Sequence, residues 1–217
     1  MSGRLGATRL YARLGKRVLD TVGSALLIVI TSPLHIACVA AVLLRTGRPV
    51  YFHQVRTGFR GQEFRLHKLR TMSVGTAERF GGYPTESAVT DVGGFLRRWS
   101  LDELPQLYNI LRGDMSFVGP RPVLPDQAQR YTAEQRRRLE VRPGLTGLAQ
   151  VRHRNNAPWS VRIKADIEYV ESISLLADVR IALATVPVAL TGADQVVGQT
   201  SADVDDLGPA VASGEPC

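Results

Sequence analysis

The sequence predicts an α+β chain: mostly helical, membrane-associated, with one small β-hairpin and an amino-terminal apolar helix broken at a Ser-Pro pair. Three observations predict it. Residues 21–44 carry no charge and are rich in Leu, Ile, Val and Ala, a run long enough to span a bilayer. Two short stretches that read as strands, 49–55 and 63–67, flank the turn-forming Thr57-Gly58-Phe59-Arg60-Gly61. After them, apolar residues recur at helical spacing in segments punctuated by Gly and Pro.

With 217 residues, the chain has room for one ordinary domain and an appendage. A net charge of +7 and a pI near 9.9 call for an anionic partner: nucleic acid, acidic lipid headgroups or a phosphorylated substrate. Aromatic residues are 6% of the chain and form no base-stacking platform, which argues against nucleic acid. The two cysteines, Cys38 in the apolar run and Cys217 at the end of a polar tail, make no disulfide framework. A reducing, cytoplasm-facing location follows.

Three stretches divide the chain. Residues 1–48 are a basic arm and membrane helix, 49–192 are the domain that carries the chemistry, and 193–217 are an acidic, small-residue tail read as disordered. In the arm, Arg4, Arg9, Arg13, Lys16 and Arg17 stand among apolar residues with no acid, suited to an anionic membrane surface. Asp20, one turn after Lys16 and Arg17, calls for an ion pair at the edge of the apolar run. Near the middle of that run Pro33 removes a backbone hydrogen bond, and the Ser32 hydroxyl can satisfy the freed carbonyl. Arg45 and Arg48 make the second flank positive as well, whereas a spanning helix keeps its positive excess on one side. Charge and proline therefore leave open a straight span and a re-entrant hairpin that returns to the same face. His35, just past the break, reads as a hydrogen-bonded polar group. The run is too long for a cleaved signal peptide.

After the hairpin come Lys68 and Arg70, then a glycine- and proline-containing polar stretch, 73–90, that reads as a mobile loop. A helix is expected to start at Asp102, because Leu104, Leu107, Ile110 and Leu111 keep helical spacing and Pro105 is tolerated only in a first turn. Residues 125–140 read as one helix ending in the basic triplet Arg136-Arg137-Arg138, a solvated or lipid-facing end. Residues 142–151 read as a turn into a short extended piece, followed by the anion donors Arg152, His153, Arg154 and Asn155. Residues 159–174 are helical in pattern. Residues 178–190 form a second apolar segment in which Asp178 and Arg180 argue for packing or an interfacial position over spanning.

The stretch Ser100-Leu101-Asp102-Glu103-Leu104-Pro105-Gln106-Leu107 carries the candidate chemistry. An isolated Asp-Glu pair in a first helical turn most often just complements the helix dipole. Here Arg97 and Arg98 precede it, and Gly113-Asp114-Met115-Ser116-Phe117-Val118-Gly119-Pro120-Arg121-Pro122 follows closely. Arginines grip phosphates bidentately, helix starts bind them, and an acid pair can hold a magnesium ion that bridges diphosphate oxygens. The spacing favours a phosphoryl-transfer site.

These motifs, with Lys68-Leu69-Arg70-Thr71-Met72, Arg142-Pro143-Gly144-Leu145-Thr146-Gly147 and Asp166-Ile167-Glu168-Tyr169-Val170, resemble those of the bacterial sugar transferases known as monotopic polyprenyl-phosphate phosphoglycosyl transferases. The resemblance runs from about Lys16 to Leu190. It implies that Asp102 attacks a UDP-sugar, releases UMP and carries a phosphosugar that passes to a polyprenyl phosphate, undecaprenyl phosphate. It implies that Asp102 and Glu103 are the metal and catalytic acids, Glu103 helping to hold Mg2+ or manage protons, and that Arg97, Arg121, Lys68, Arg70 and Arg154 bind substrate. Ser32-Pro33 would then be a re-entrant break holding the enzyme in the cytoplasmic leaflet of a bacterial inner membrane, with Lys16, Arg17 and Asp20 at headgroup depth among membrane lipids. This chain has Arg152-His153 where relatives commonly have Asn-Gly, and Leu69 where phenylalanine is frequent. No further membrane domain is expected before the catalytic part. The sugar and the pathway are not encoded in these motifs, and a homo-oligomer is left open.

Overall fold

The computed structural model describes residues 11–75, 88–153, 157–191 and 205–208. A π-helical turn, Tyr11–Gly15, leads into α1, Lys16–Thr46, 31 residues and about 46 Å long at the helical rise of 1.5 Å per residue. The hairpin follows as β1, Tyr51–Thr57, and β2, Glu63–Leu69, paired antiparallel with His53 opposite His67. Then come α2, Asp91–Arg98, a 3-10 turn at Leu101–Glu103, and α3, Gln106–Arg112. The chain continues through β3, Ser116–Val118, α4, Pro125–Gln129, and α5, Ala133–Arg136. A second 3-10 turn, Arg137–Glu140, precedes β4, Gly144–Thr146. Last are α6, Leu148–His153, α7, Trp159–Ser172, and α8, Leu175–Thr191.

Contrary to the expected broken helix, α1 is helical through Ser32 and Pro33. The reason lies in one hydrogen bond. Proline at 33 cannot donate to the carbonyl of Val29, and the Ser32 hydroxyl donates to that same oxygen at 2.8 Å. Both ends of the helix rest on one body. Near the amino end Asp20 accepts from the Phe117 amide at 3.0 Å, and Ile28 packs on Leu66 and Leu107. Near the carboxyl end Cys38 and Val42 pack on Leu69 and Leu96. The opposite face, with Val22, Leu26, Val29, Ile30 and Ile36, stays exposed. Among the described residues α1 is the one helix long and apolar enough to cross a membrane.

A parallel pairing not anticipated from the sequence joins the two glycine-containing motifs. Ser116 pairs with Gly144 and Val118 with Thr146. The backbones touch so closely that a Cβ on Gly144 would meet the Gly119 nitrogen at 2.1 Å, and one on Gly147 would meet the Gly119 carbonyl oxygen at 2.2 Å. Glycine is required there because backbone, unlike a flexible side chain, cannot step aside.

Three other expectations are corrected. The helix foreseen over 125–140 is split into α4, α5 and a 3-10 turn, because Thr132 starts a new helix with a capping box to Gln135. The basic triplet is not a uniform solvated end: Arg138 is buried with its Nη2 2.6 Å from Asp166 Oδ2. The tail is not wholly disordered, because residues 205–208 return to the domain and Leu207 is buried against Val123, Ala128, Tyr131, Ile163 and Ile167. Of the turn and short extended piece expected over 142–151, β4 is the extended part and the residues from Leu148 on are helical, and most of the loop expected over 73–90 lies outside the described residues. As expected, α8 is packed and not isolated: its Asp178 accepts from Lys16 Nζ at 2.6 Å and from the hydroxyls of Tyr11 and Tyr169.

Candidate active site

The central acids do not cap a helix as the spacing suggested. Asp102 and Glu103 lie in the 3-10 turn before α3, whose own cap is Pro105. Ser100 makes this possible. Its left-handed conformation, φ 53° and ψ 22°, reverses the chain between the end of α2 and the turn, at a cost of about 1 kcal/mol for a residue with a Cβ. Leu107 and Ile110, buried under the hairpin, then anchor α3 so that the turn projects beside β2.

Cations from three elements gather on this turn. From β2, Lys68 Nζ reaches Glu103 Oε1 at 2.5 Å. From the turn after β3, Arg121 Nη2 stands 3.6 Å from the same oxygen. Arg97 comes from the last turn of α2; its Nη1 is buried and has no hydrogen-bond partner among the described residues. Burial lowers the pKa of Arg97, against the pull of Asp102 and Glu103. An arginine nitrogen buried and unmatched beside two acids is an open donor for an incoming anion.

The two carboxyls are driven apart. Asp102 is 6% exposed and makes no ion pair among the described residues. Burial raises its pKa, with Glu103 adding to the rise and Lys68 and Arg97 opposing it. Burial works the same way on Glu103, but Lys68 and Arg121, with hydrogen bonds from Lys68 and Gln106, outweigh it and hold Glu103 down at about 2. One acid is thus clamped as a carboxylate while its neighbour awaits a counter-charge, the division of labour that paired catalytic carboxyls need.

The other expected residues lie elsewhere. Arg70 is buried at the carboxyl end of α1, donating to the Thr46 carbonyl, the Thr46 hydroxyl and the Gly47 carbonyl at 2.6, 2.7 and 3.0 Å. Arg17 donates to the carbonyls of Ile110 and Leu111 at the end of α3. Lys16 and Asp20 are engaged by Asp178 and the Phe117 amide. In this structure these four tie α1 to the domain, whereas Lys68, Arg97, Arg121, Asp102 and Glu103 form one cluster. Arg154 lies outside the described residues. His35 Nε2 is 2.9 Å from the Tyr51 hydroxyl, a hydrogen-bonded group as expected.

Sequence reasoning missed the residues that hold the cluster still. Gln106 is 3% exposed and hydrogen-bonds Glu103. Asn109, fully buried, accepts from the His67 amide at 3.2 Å and donates to the Arg65 carbonyl at 2.8 Å, pinning β2 to α3. Arg138 donates to the Arg121 carbonyl at 2.9 Å and so holds the turn bearing that arginine. The signal available was a polar residue at a helical core position, at 106 and 109, one turn after the acids.

A family model described as bacterial sugar transferase matches residues 11–192. The chain is 42% identical over 171 residues to the uncharacterized sugar transferase EpsL of Bacillus subtilis, covering 79% of this chain and 85% of that protein. It is 44% identical over 198 residues to the UDP-glucose:undecaprenyl-phosphate glucose-1-phosphate transferase of Caulobacter vibrioides, covering 84% and 72%. It is 37% identical over 196 residues to the undecaprenyl-phosphate galactose phosphotransferase of Salmonella typhimurium, covering 82% of this chain and 41% of that protein.

Proposed function

Since the chain belongs to the bacterial sugar transferase family, we propose that it moves a sugar-1-phosphate from a UDP-sugar to a polyprenyl phosphate through a covalent intermediate on Asp102. The observation that carries this reading is the unequal acid pair ringed by Lys68, Arg97 and Arg121. The Asp102 carboxylate attacks the β-phosphorus of the UDP-sugar. The bond from that phosphorus to the bridging oxygen breaks, and UMP leaves with the oxygen. An oxygen of the polyprenyl phosphate then attacks the same phosphorus and displaces Asp102, giving a polyprenyl diphosphate sugar. Splitting the transfer this way replaces one encounter between two phosphate anions by two displacements at a positioned nucleophile.

Lys68, Arg97 and Arg121 supply positive charge for the diphosphate, with the unmatched Arg97 nitrogen as the first donor. A buried carboxylate without an ion-pair partner among the described residues, next in sequence to a second acid, fits the donor set of Mg2+, which takes one or two carboxylates and completes its shell with phosphate oxygens and water. Asp102 and Glu103 would hold it, and when bound it would neutralise charge on the diphosphate.

The same reading places α1 in the cytoplasmic leaflet of a bacterial inner membrane, entering and leaving by one face. Two features support it: the exposed apolar face and both ends resting on the domain. The relatives in Caulobacter and Salmonella are named for undecaprenyl phosphate, the acceptor proposed here. Membrane exopolysaccharide assembly is the proposed setting, in line with a 38% identical relative in Sinorhizobium fredii named as an exopolysaccharide production protein.

The test is UMP release by detergent-solubilised protein given UDP-glucose or UDP-galactose, Mg2+ and undecaprenyl phosphate. Wild type should release UMP and gain the mass of a phosphosugar at Asp102 when the acceptor is withheld, and Asp102→Asn should do neither. An Asp102→Asn protein as active as wild type would sink the mechanism.

A further inference from the structure

The segment Asp205-Asp206-Leu207-Gly208 lies beyond residues 11–192, which match the family, yet each of its residues has a specific receptor. Asp205 accepts both arms of the Arg130 guanidinium, at 2.6 and 2.8 Å, a bidentate fork. The carbonyls of Leu207 and Gly208 also accept from Arg130, so one arginine reads side chain and backbone together. Asp206 accepts from the Ser160 amide at 2.9 Å and from the Ser160 hydroxyl. Helix α7 begins with Pro158 at its cap and has no side-chain cap of its own, so Asp206 supplies the missing acceptor and places a negative charge at the positive helix end. Leu207 fills an apolar hole lined by Val123, Tyr131, Ile163 and Ile167.

That hole adjoins the turn that presents Arg121. Val123 is two residues after it, and the Tyr131 hydroxyl accepts from Arg138 Nη1 at 2.6 Å, while Arg138 Nη2 donates to the Arg121 carbonyl. Leu207 thus shares one apolar cluster with Tyr131, from which hydrogen bonds lead through Arg138 to the Arg121 carbonyl, and Arg121 stands 3.6 Å from Glu103.

We propose that this groove is a peptide-docking site specific for an Asp-Asp-Leu-Gly segment, that its resident ligand is the chain's own Asp205–Gly208, and that its occupancy positions Arg121. The effect on Arg121 rests on the function proposed above; the docking itself does not.

The test uses full-length chain carrying Asp205→Ala, Asp206→Ala and Leu207→Ala together, and a fluorescein-labelled peptide of residues 203–210. The peptide should bind this variant saturably and bind wild type at least tenfold more weakly, because there the groove is filled. Adding Arg130→Ala to the variant should abolish binding. In UMP release, the variant should show a several-fold higher KM for the UDP-sugar with kcat little changed, and unlabelled peptide should restore the wild-type KM. Loss of packing alone would not be rescued in trans. Should the triple variant fail to fold, Asp206→Ala alone should still lose protection of the Ser160 amide from hydrogen exchange. Equal peptide binding to wild type and variant, or no binding to the variant, overturns the docking site. Binding without a KM change that peptide reverses overturns the link to Arg121. A wild type with no transferase activity would refute the proposed function and leave the binding result standing.

Discussion

Asp102 sits where a charge is costly, and that cost makes it useful. Its raised pKa means the folded chain holds the proton more tightly than the unfolded chain does, so ionisation withdraws stability as pH rises through the folded value. Asp102→Asn should therefore abolish transfer while adding about 1 kcal/mol of stability once the pH is high enough to ionise Asp102 in the folded chain, the usual scale of such trade-offs. Differential scanning calorimetry across pH would check it. Glu103 has the opposite sign. Its pKa, held near 2, lies below the unfolded value, so its contribution is present above about pH 4.3 and is lost as pH falls towards 2. Lys68→Met removes the main cause of that depression, and the acid-unfolding midpoint should move to higher pH than in wild type. An unchanged midpoint would mean that Lys68 does not hold Glu103. Both acids were legible from their arginine neighbours. Which of the two carries the counter-charge was not, because Lys68 arrives from a strand far away in sequence.

At the scale of elements, the parallel pair β3–β4 is the joint on which Arg121 hangs. Gly144→Ala would drive a Cβ into the Gly119 nitrogen, a contact that only backbone movement can relieve. Overpacking of this kind costs about 1–3 kcal/mol, so Gly144→Ala should lower stability by that much and reduce UMP release more than stability alone explains. Urea unfolding beside an activity assay would separate the two effects. Such pairing was hidden in the sequence because three-residue strands carry no periodicity to read, and their hydrogen bonds come from a segment over twenty residues away. The antiparallel hairpin was legible because both strands and their turn lie in one local stretch. Helix α3 was foreseen as an element yet begins later than expected, since the left-handed Ser100 starts a 3-10 turn that apolar spacing does not report.

For the whole molecule, the proposed seating of α1 in a membrane is constrained by its length and its two anchored ends. A helix of about 46 Å exceeds a hydrocarbon core of about 30 Å, and Lys16, Arg17, Asp20 and Thr46 near its ends are all engaged with the same domain. A straight span would pull one set of those contacts across the bilayer. Tags at the two chain termini should therefore be accessible from one side of sealed inverted vesicles. Protein in the membrane fraction should resist high salt and leave only with detergent. Termini found on opposite sides would exclude the re-entrant arrangement.

The linear chain determined the apolar amino-terminal run, the hairpin and the acid turn with Arg97 beside it, because each is written in neighbouring residues whose side-chain chemistry acts locally. Tertiary structure alone decided that Arg70 and Arg17 close helix ends, that Arg138 is buried behind Arg121, and that an acidic tail segment caps α7. An arginine's role depends on which carbonyl or carboxylate lies within about 3 Å of it, and only the packing of distant segments sets that distance.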